Sequence, residues 1–281
     1  MYNLRYHIAS LAGVFLALAL GLILGGLVVG QGTLGEQQGA LVEGLRKEFV
    51  TLRAENKALT SQNQVLSDYA KLMTDEWVAG RLAGKAIAVL TSSGRSDGLK
   101  ASTEAIEAAG GTVVTVTVPE AGLDLSSSEV ASIVTSATGE PGGSKEKTAA
   151  LLVAEWTDGG VSRPLTDALI EAEVLKIDGL GADVAVSAVV DIAAPESEPD
   201  AAALAIALAF QQAGLSAVAG QTPLRDTGVA KAGASAGISA LDTLGTDVGR
   251  YTLVALLTGA APGYYGLGDT ATAQFPPLPQ P

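Results

Sequence analysis

Apolar and polar positions alternate along this chain in successive patterns, each predicting a different kind of element. The first is an unbroken apolar run: residues 8–30, IASLAGVFLALALGLILGGLVVG, contain no charged side chain. A helix of that length rises about 34 Å at about 1.5 Å per residue, which covers the hydrocarbon core of a bilayer. A cleaved signal peptide has a shorter apolar region ending at a small-residue A-x-A site. Here the run continues through Val28, Val29 and Gly30 without such a site, so an uncleaved anchor is predicted. Arg5 precedes the run and Glu36 is the first charge after it, which places the amino terminus inside and the rest of the chain outside the cytoplasm. Gly21 and Gly25 stand at the G-x-x-x-G spacing that lets two such helices approach closely.

The second pattern is a heptad. Leu45, Leu52, Leu59, Leu66 and Met73 recur every seventh residue, and three positions before each stand Val42, Phe49, Asn56, Asn63 and Ala70. This is an a/d seam with leucine at d, and it predicts a coiled coil. Asn56 and Asn63 fall at a, where a buried amide sacrifices stability to fix register and favours two parallel strands. In a parallel pair Glu48 at g faces Arg53 at e of the partner, a pairing of opposite charges. A homo-oligomer, specifically a parallel dimer, is the expected assembly; the alternative is a coiled-coil protein partner. Gly30, Gly32, Gly35, Gly39 and Gly44 weaken helix continuity between anchor and heptads, so a hinge is expected there. Residues 41–77 as one helix would rise about 55 Å and hold a domain clear of the bilayer.

Beyond Gly80 and Gly84, short β-branched runs alternate with alanine-rich helical ones, the sign of an α/β domain with a mainly parallel, open, Rossmann-like sheet. The candidate strands are 86–90, 112–118, 149–155, 184–190, 216–219 and 237–241. The candidate helices are 98–109, 127–137, 163–172, 201–213 and 247–257, with Asp200 and Asp247 as N-caps of the last two. The runs at 201–210 and 251–261 are too short to span a bilayer and read as buried helices. Four prolines in 275–281 predict an extended or disordered tail. The predicted organisation is therefore cytoplasmic tip and anchor at 1–34, coiled coil at 35–78, extracytoplasmic α/β domain at 79–262 and Pro-rich tail at 263–281.

Composition narrows the chemistry. The formal net charge is -13, with 30 acidic against 17 basic residues, so no nucleic-acid partner is expected. Cysteine is absent, histidine occurs once as His7, and methionine only as Met1 and Met73, so the soft and imidazole ligands that hold transition metals are nearly missing. In an open α/β sheet chemistry lies just after the strands, at 91–94, Glu155, Asp191 and Asp242. The segment TSSGRSDG after the first strand matches neither G-x-G-x-x-G nor the P-loop and reads as an ordinary loop. Glu155, Asp191 and Asp242 would supply a hard-cation site or a general acid/base group if they converged; singly, such carboxylates are helix caps or solvated side chains. Trp156, Tyr264 and Tyr265 read as packing residues. No histidine is available as base to a serine outside the membrane, and there is no G-x-S-x-G, so no catalytic residue, cofactor or enzyme activity is predicted. Metal and cofactor-binding residues remain unassigned.

The opening LRYHIASLAGVFLALALGLILGG, the stalk segment LRAENKALTSQN, the junction VAGRLAGKAIAVL and the later SALDTLGTDVGR and GYYG resemble the mycobacterial copper transport protein B (MctB) family, in order along nearly the whole chain. The resemblance implies an envelope protein of copper efflux or homeostasis, and it carries no ligand residues onto positions here. Cu(I) favours thiolate, thioether and imidazole; outside the anchor the chain offers only Met73, already assigned to the seam. A single helix cannot enclose an ion path, so an indirect link to copper is expected. The family's name places it in an outer membrane, whereas an apolar α-helix suits the cytoplasmic membrane.

Overall fold

The computed structural model describes residues 4–30, 33–92, 97–118, 124–160, 162–193, 202–223 and 228–277. The chain divides into two compact units, Met1–Leu66 and Ser67–Pro281. The first contains helix α1 (Leu4–Gly30) and most of helix α2 (Thr33–Val78). Within α1, His7–Leu27 has a mean hydropathy of 2.4, long and apolar enough to cross a membrane. Helix α2 runs unbroken through Gly35, Gly39 and Gly44, so these glycines do not form the expected hinge. Gln31 and Gly32, between the two helices, lie outside the described residues.

The second unit is built on a sheet of seven strands, ordered β3-β2-β1-β4-β5-β6-β7: β1 (Ala86–Ser92), β2 (Thr112–Val118), β3 (Lys176–Asp178), β4 (Val186–Asp191), β5 (Ser216–Gly220), β6 (Ser239–Leu241) and β7 (Tyr264–Tyr265). Every pairing is parallel except β2 with the edge strand β3. Its helices are α3 (Asp97–Ala108), α4 (Ser128–Thr138), α5 (Lys145–Thr157), α6 (Pro164–Glu171), α7 (Ala202–Gln212), α8 (Val229–Ser235) and α9 (Asp247–Leu257). Central strand β1 is buried throughout and feeds both layers by its period of two. Ala86, Ala88 and Leu90 join the core under α4–α8, while Ile87 and Val89 join the one under α3, α9 and the last turn of α2.

Four sequence expectations need correction. Residues 149–155 are not a strand but the middle of α5: Ser144 accepts from the Lys147 N–H, and Ala149, Leu152, Val153 and Trp156 are buried at i, i+3, i+4 and i+7. The LLV triplet mimics a buried strand, yet its neighbours obey helical spacing. The N-cap of α9 is Thr246, whose hydroxyl accepts from the Gly249 N–H at 2.9 Å; Asp247 lies in the first turn instead. Asp200 lies outside the described residues. Strands β3 and β7 and helix α8 had no clear signal, being two to seven residues long. Of the tail, Phe275 meets Tyr251 edge-on at 6.5 Å and the Pro276 carbonyl accepts from the Tyr251 hydroxyl at 3.1 Å, so its start is packed; 278–281 lie outside the described residues.

The end of α2 belongs to this second core. Val78 is buried with Leu82, Trp77 packs on Tyr251 with ring centroids 4.6 Å apart, and the Arg81 guanidinium lies over the Trp77 ring, 3.9 Å from its centre. Arg250 on α9 pairs with Asp75 at 2.7 Å and with Asp247 at 3.0 Å.

Candidate functional site

Strand polarity puts the carboxyl ends of β1, β4, β5, β6 and β7 along one edge, where ligands of open α/β sheets bind. The chain leaves β1 for β2 on one side and returns to β4 on the other, so the sheet's switch point lies between β1 and β4. Asp191 ends β4 there, opposite Leu90 on β1 and Ala219 on β5. It is buried and accepts the Ala193 N–H at 3.0 Å. Burial with so little compensation pushes its carboxyl up to about 7. Thr91 and Ser92, the end of β1, are buried beside the switch point; 93–96, the rest of the TSSGRSDG loop, lie outside the described residues.

Asp242 follows β6 and is a polar keystone. Its carboxylate accepts the Tyr264 hydroxyl at 2.8 Å, the Leu267 N–H at 2.9 Å and the Gly268 N–H at 2.8 Å. Three donors on one buried carboxylate hold the turn after β7 against the end of β6. The glycines of GYYGLG are required for it: a Cβ at Gly266 would collide with the Asp242 carboxylate, and one at Gly268 with the Tyr264 hydroxyl. Gly266 also has φ 148°, a conformation that side chains other than glycine's rarely adopt.

Glu155 does not join these groups. It sits on α5, where its carboxylate accepts the Leu165 N–H at 2.8 Å, the Thr166 N–H at 2.9 Å and the Thr166 hydroxyl at 2.7 Å. Arg163, at the N-cap of α6, has no capping side chain of its own, so Glu155 caps that helix from ten residues upstream. The buried Arg163 guanidinium donates to the carbonyls of Glu155, Gly181 and Val184 at 3.2, 2.9 and 2.6 Å. The Trp156 indole N–H donates to Thr166 at 3.0 Å, which makes Trp156 a packing residue as expected. The three carboxylates therefore do not converge. Among the described residues no group of three His, Cys, Asp or Glu side chains is placed to hold a metal ion.

A groove beside Tyr264 starts at the carboxyl edge and runs past β7 to the amino ends of β6 and β7. Two adjoining concavities of about 480 and 490 Å³ share Lys231, Tyr264 and Thr270 as lining residues. Lys231, on α8, is the basic side chain of both, and Gln221 and Asp269 line the first. Gln221 also accepts the Ala230 N–H at 3.2 Å, which fixes the start of α8. The groove's described lining mixes charged, hydroxyl and apolar side chains. Tyr265 packs into the core with its hydroxyl donating to the Ala261 carbonyl at 2.9 Å, whereas Tyr264 both packs and lines the groove. Lys231 and Gln221 carried no sequence signal, because the short helix that presents Lys231 was itself illegible.

A family model described as the copper transport outer membrane protein, MctB, matches residues 1–276, from the apolar helix through the GYYGLG turn. The chain belongs to the MctB family. Membership implies a role in copper transport or homeostasis, and the MctB match spans both compact units rather than the sheet alone. No curated protein matches the chain.

Proposed function

We propose that this MctB-family chain is a single-pass protein of the cytoplasmic membrane, amino terminus inside, that serves copper homeostasis indirectly, by organising partners on an extracytoplasmic α/β domain. The observation that carries this reading is the donor set. With no cysteine, and with only His7, Met1 and Met73 as imidazole or thioether groups, the chain lacks the ligands that would take Cu(I) as cargo. His7 opens the apolar stretch of α1, and Met73 stands on α2 in the heptad row. The uncharged span of α1 supports anchoring, and Arg5 before it against Glu36 after it supports the orientation.

The test is complementation of a strain lacking the gene. Deletion should raise copper sensitivity, and the double variant His7→Ala, Met73→Leu should restore tolerance as fully as the parent. Restoration by the parent alone would make copper a direct ligand; unchanged tolerance on deletion would remove the copper role.

A second reading is favoured by α2. Val42, Leu45, Phe49, Leu52, Leu59 and Leu66 are all exposed along one helix and form an apolar row. It supports a non-catalytic scaffold whose α2 forms a coiled coil with a second copy of itself.

A further inference from the structure

The exposed apolar surface of α2 does not keep to one face. Up to Leu59 it lies mainly in heptad rows a (Val42, Phe49) and d (Leu45, Leu52, Leu59), with Leu41 in row g and Val50 in row b beside them. Beyond Asn63 the a row turns inward: Ala70 is half-buried, and Trp77 stacks on Tyr251. Thr74 in row e and Val78 in row b are buried by the same unit. The side a-e-b of the last turns is therefore taken. The exposed apolar residues here are Leu66 and Met73 in row d, Tyr69 in row g at 61% exposure, and Val65 and Leu72 in row c at 67% and 62%. At about 100° per residue, rows c, g and d form one continuous arc on the opposite side of the helix from a, e and b.

The spacing gives this change a simple description. Read along the exposed face, the seam passes through Leu59, Asn63, Leu66, Tyr69 and Met73, with steps of four, three, three and four residues. Two consecutive steps of three are a three-residue phase slip, a stammer, which overwinds a coiled coil locally. Charge selects the occupant and its direction. Row e carries Arg46 and Arg53, and row g carries Glu48 and Glu55. A parallel copy sets g against e with opposite signs, whereas an antiparallel copy sets like against like.

We propose that α2 pairs in parallel with α2 of a second copy along a seam that follows rows a and d as far as Asn63 and then slips by three residues, so that Tyr69 rather than Ala70 faces the partner. This deepens the self-association reading above and rests on it. The slip lets two stalks stay paired up to the α/β unit while that unit holds the a row of the last turns. Without it, pairing and domain docking would compete for the same side chains.

The absence of native cysteine makes the test direct. Single cysteines are placed in the full-length, membrane-embedded protein at Leu52, Leu66, Tyr69 and Ala70. Each is treated with a short bis-maleimide, and dimer yield is normalised to labelling of the same cysteine by a monofunctional maleimide. Leu52→Cys, Leu66→Cys and Tyr69→Cys should cross-link, with Tyr69→Cys severalfold above Ala70→Cys. If Leu52→Cys cross-links but Ala70→Cys equals or exceeds Tyr69→Cys, the pair exists and the slip is wrong. If Leu52→Cys does not cross-link, the self-association reading fails and the slip fails with it.

Discussion

The two compact units use the same apolar residue types to opposite ends. Leu22 on α1 is 70% exposed and Leu66 on α2 is 56% exposed, whereas Leu90, Leu152 and Leu241 in the sheet unit are completely buried. Burying a leucine side chain is worth about 1.5–3 kcal/mol. The sheet unit realises that gain within its own chain, and the N-terminal unit can realise it only against lipid or another protein. Stability in one unit is therefore internal, and in the other it is a property of the surroundings.

That contrast can be broken from either side. Phe210→Ala removes a fully buried ring that packs against Trp156 at 6.4 Å; it should cost the sheet unit about 4 kcal/mol. Thermal unfolding of the detergent-solubilised protein should show a clear drop in Tm while flotation with membranes is unchanged. Loss of flotation instead would mean that membrane association depends on the folded sheet. Leu18→Arg, in the middle of the α1 span, does the reverse: it should cost about 3 kcal/mol of insertion. Alkali extraction should release the variant from membranes with the sheet's Tm unaltered, and retention equal to the parent would argue against a spanning α1.

A third test varies pH and probes the sheet's own weak point. The Asp191 carboxyl, pushed up to about 7 by burial, keeps its proton in the folded state at pH values where the unfolded chain has already lost it. The folded state thus binds more protons between about pH 4 and 7, and stability falls as pH rises through that window, by about 1.4 kcal/mol per unit. Asp191→Asn keeps an oxygen to accept the Ala193 N–H but cannot titrate. Its Tm should be flat where the parent's declines, and parallel curves would show that Asp191 does not govern the slope.

Legibility followed the range of the interactions. The span of α1, the helical heptad stretch of α2 and the parallel α/β order were readable because each rests on local periodicity, whereas the glycines at 35, 39 and 44 suggested a break that α2 does not have. The misreading of 149–155 came from an apolar triplet whose helical character depends on Trp156 and Ser144 outside it. The candidate site was readable only as a set of strand-end carboxylates. Asp242 was named, but its role required Tyr264 and the Gly268 amide, 22 and 26 residues away. Glu155 likewise acts on a helix whose first turn, at Leu165, lies ten residues on. Such partnerships are set by tertiary approach, and no spacing rule announces them.

The way α2 ends has a mechanical consequence. Its final turn is not tethered to the sheet unit by a loop; Trp77 and Val78 are part of that unit's packing, and the Asp75–Arg250 ion pair grips the same turn. A pull or twist applied to this turn loads α9 and the strands beneath it directly, with no slack segment to absorb it. The sheet unit would feel tension through its side of the core before any peptide outside that core had stretched.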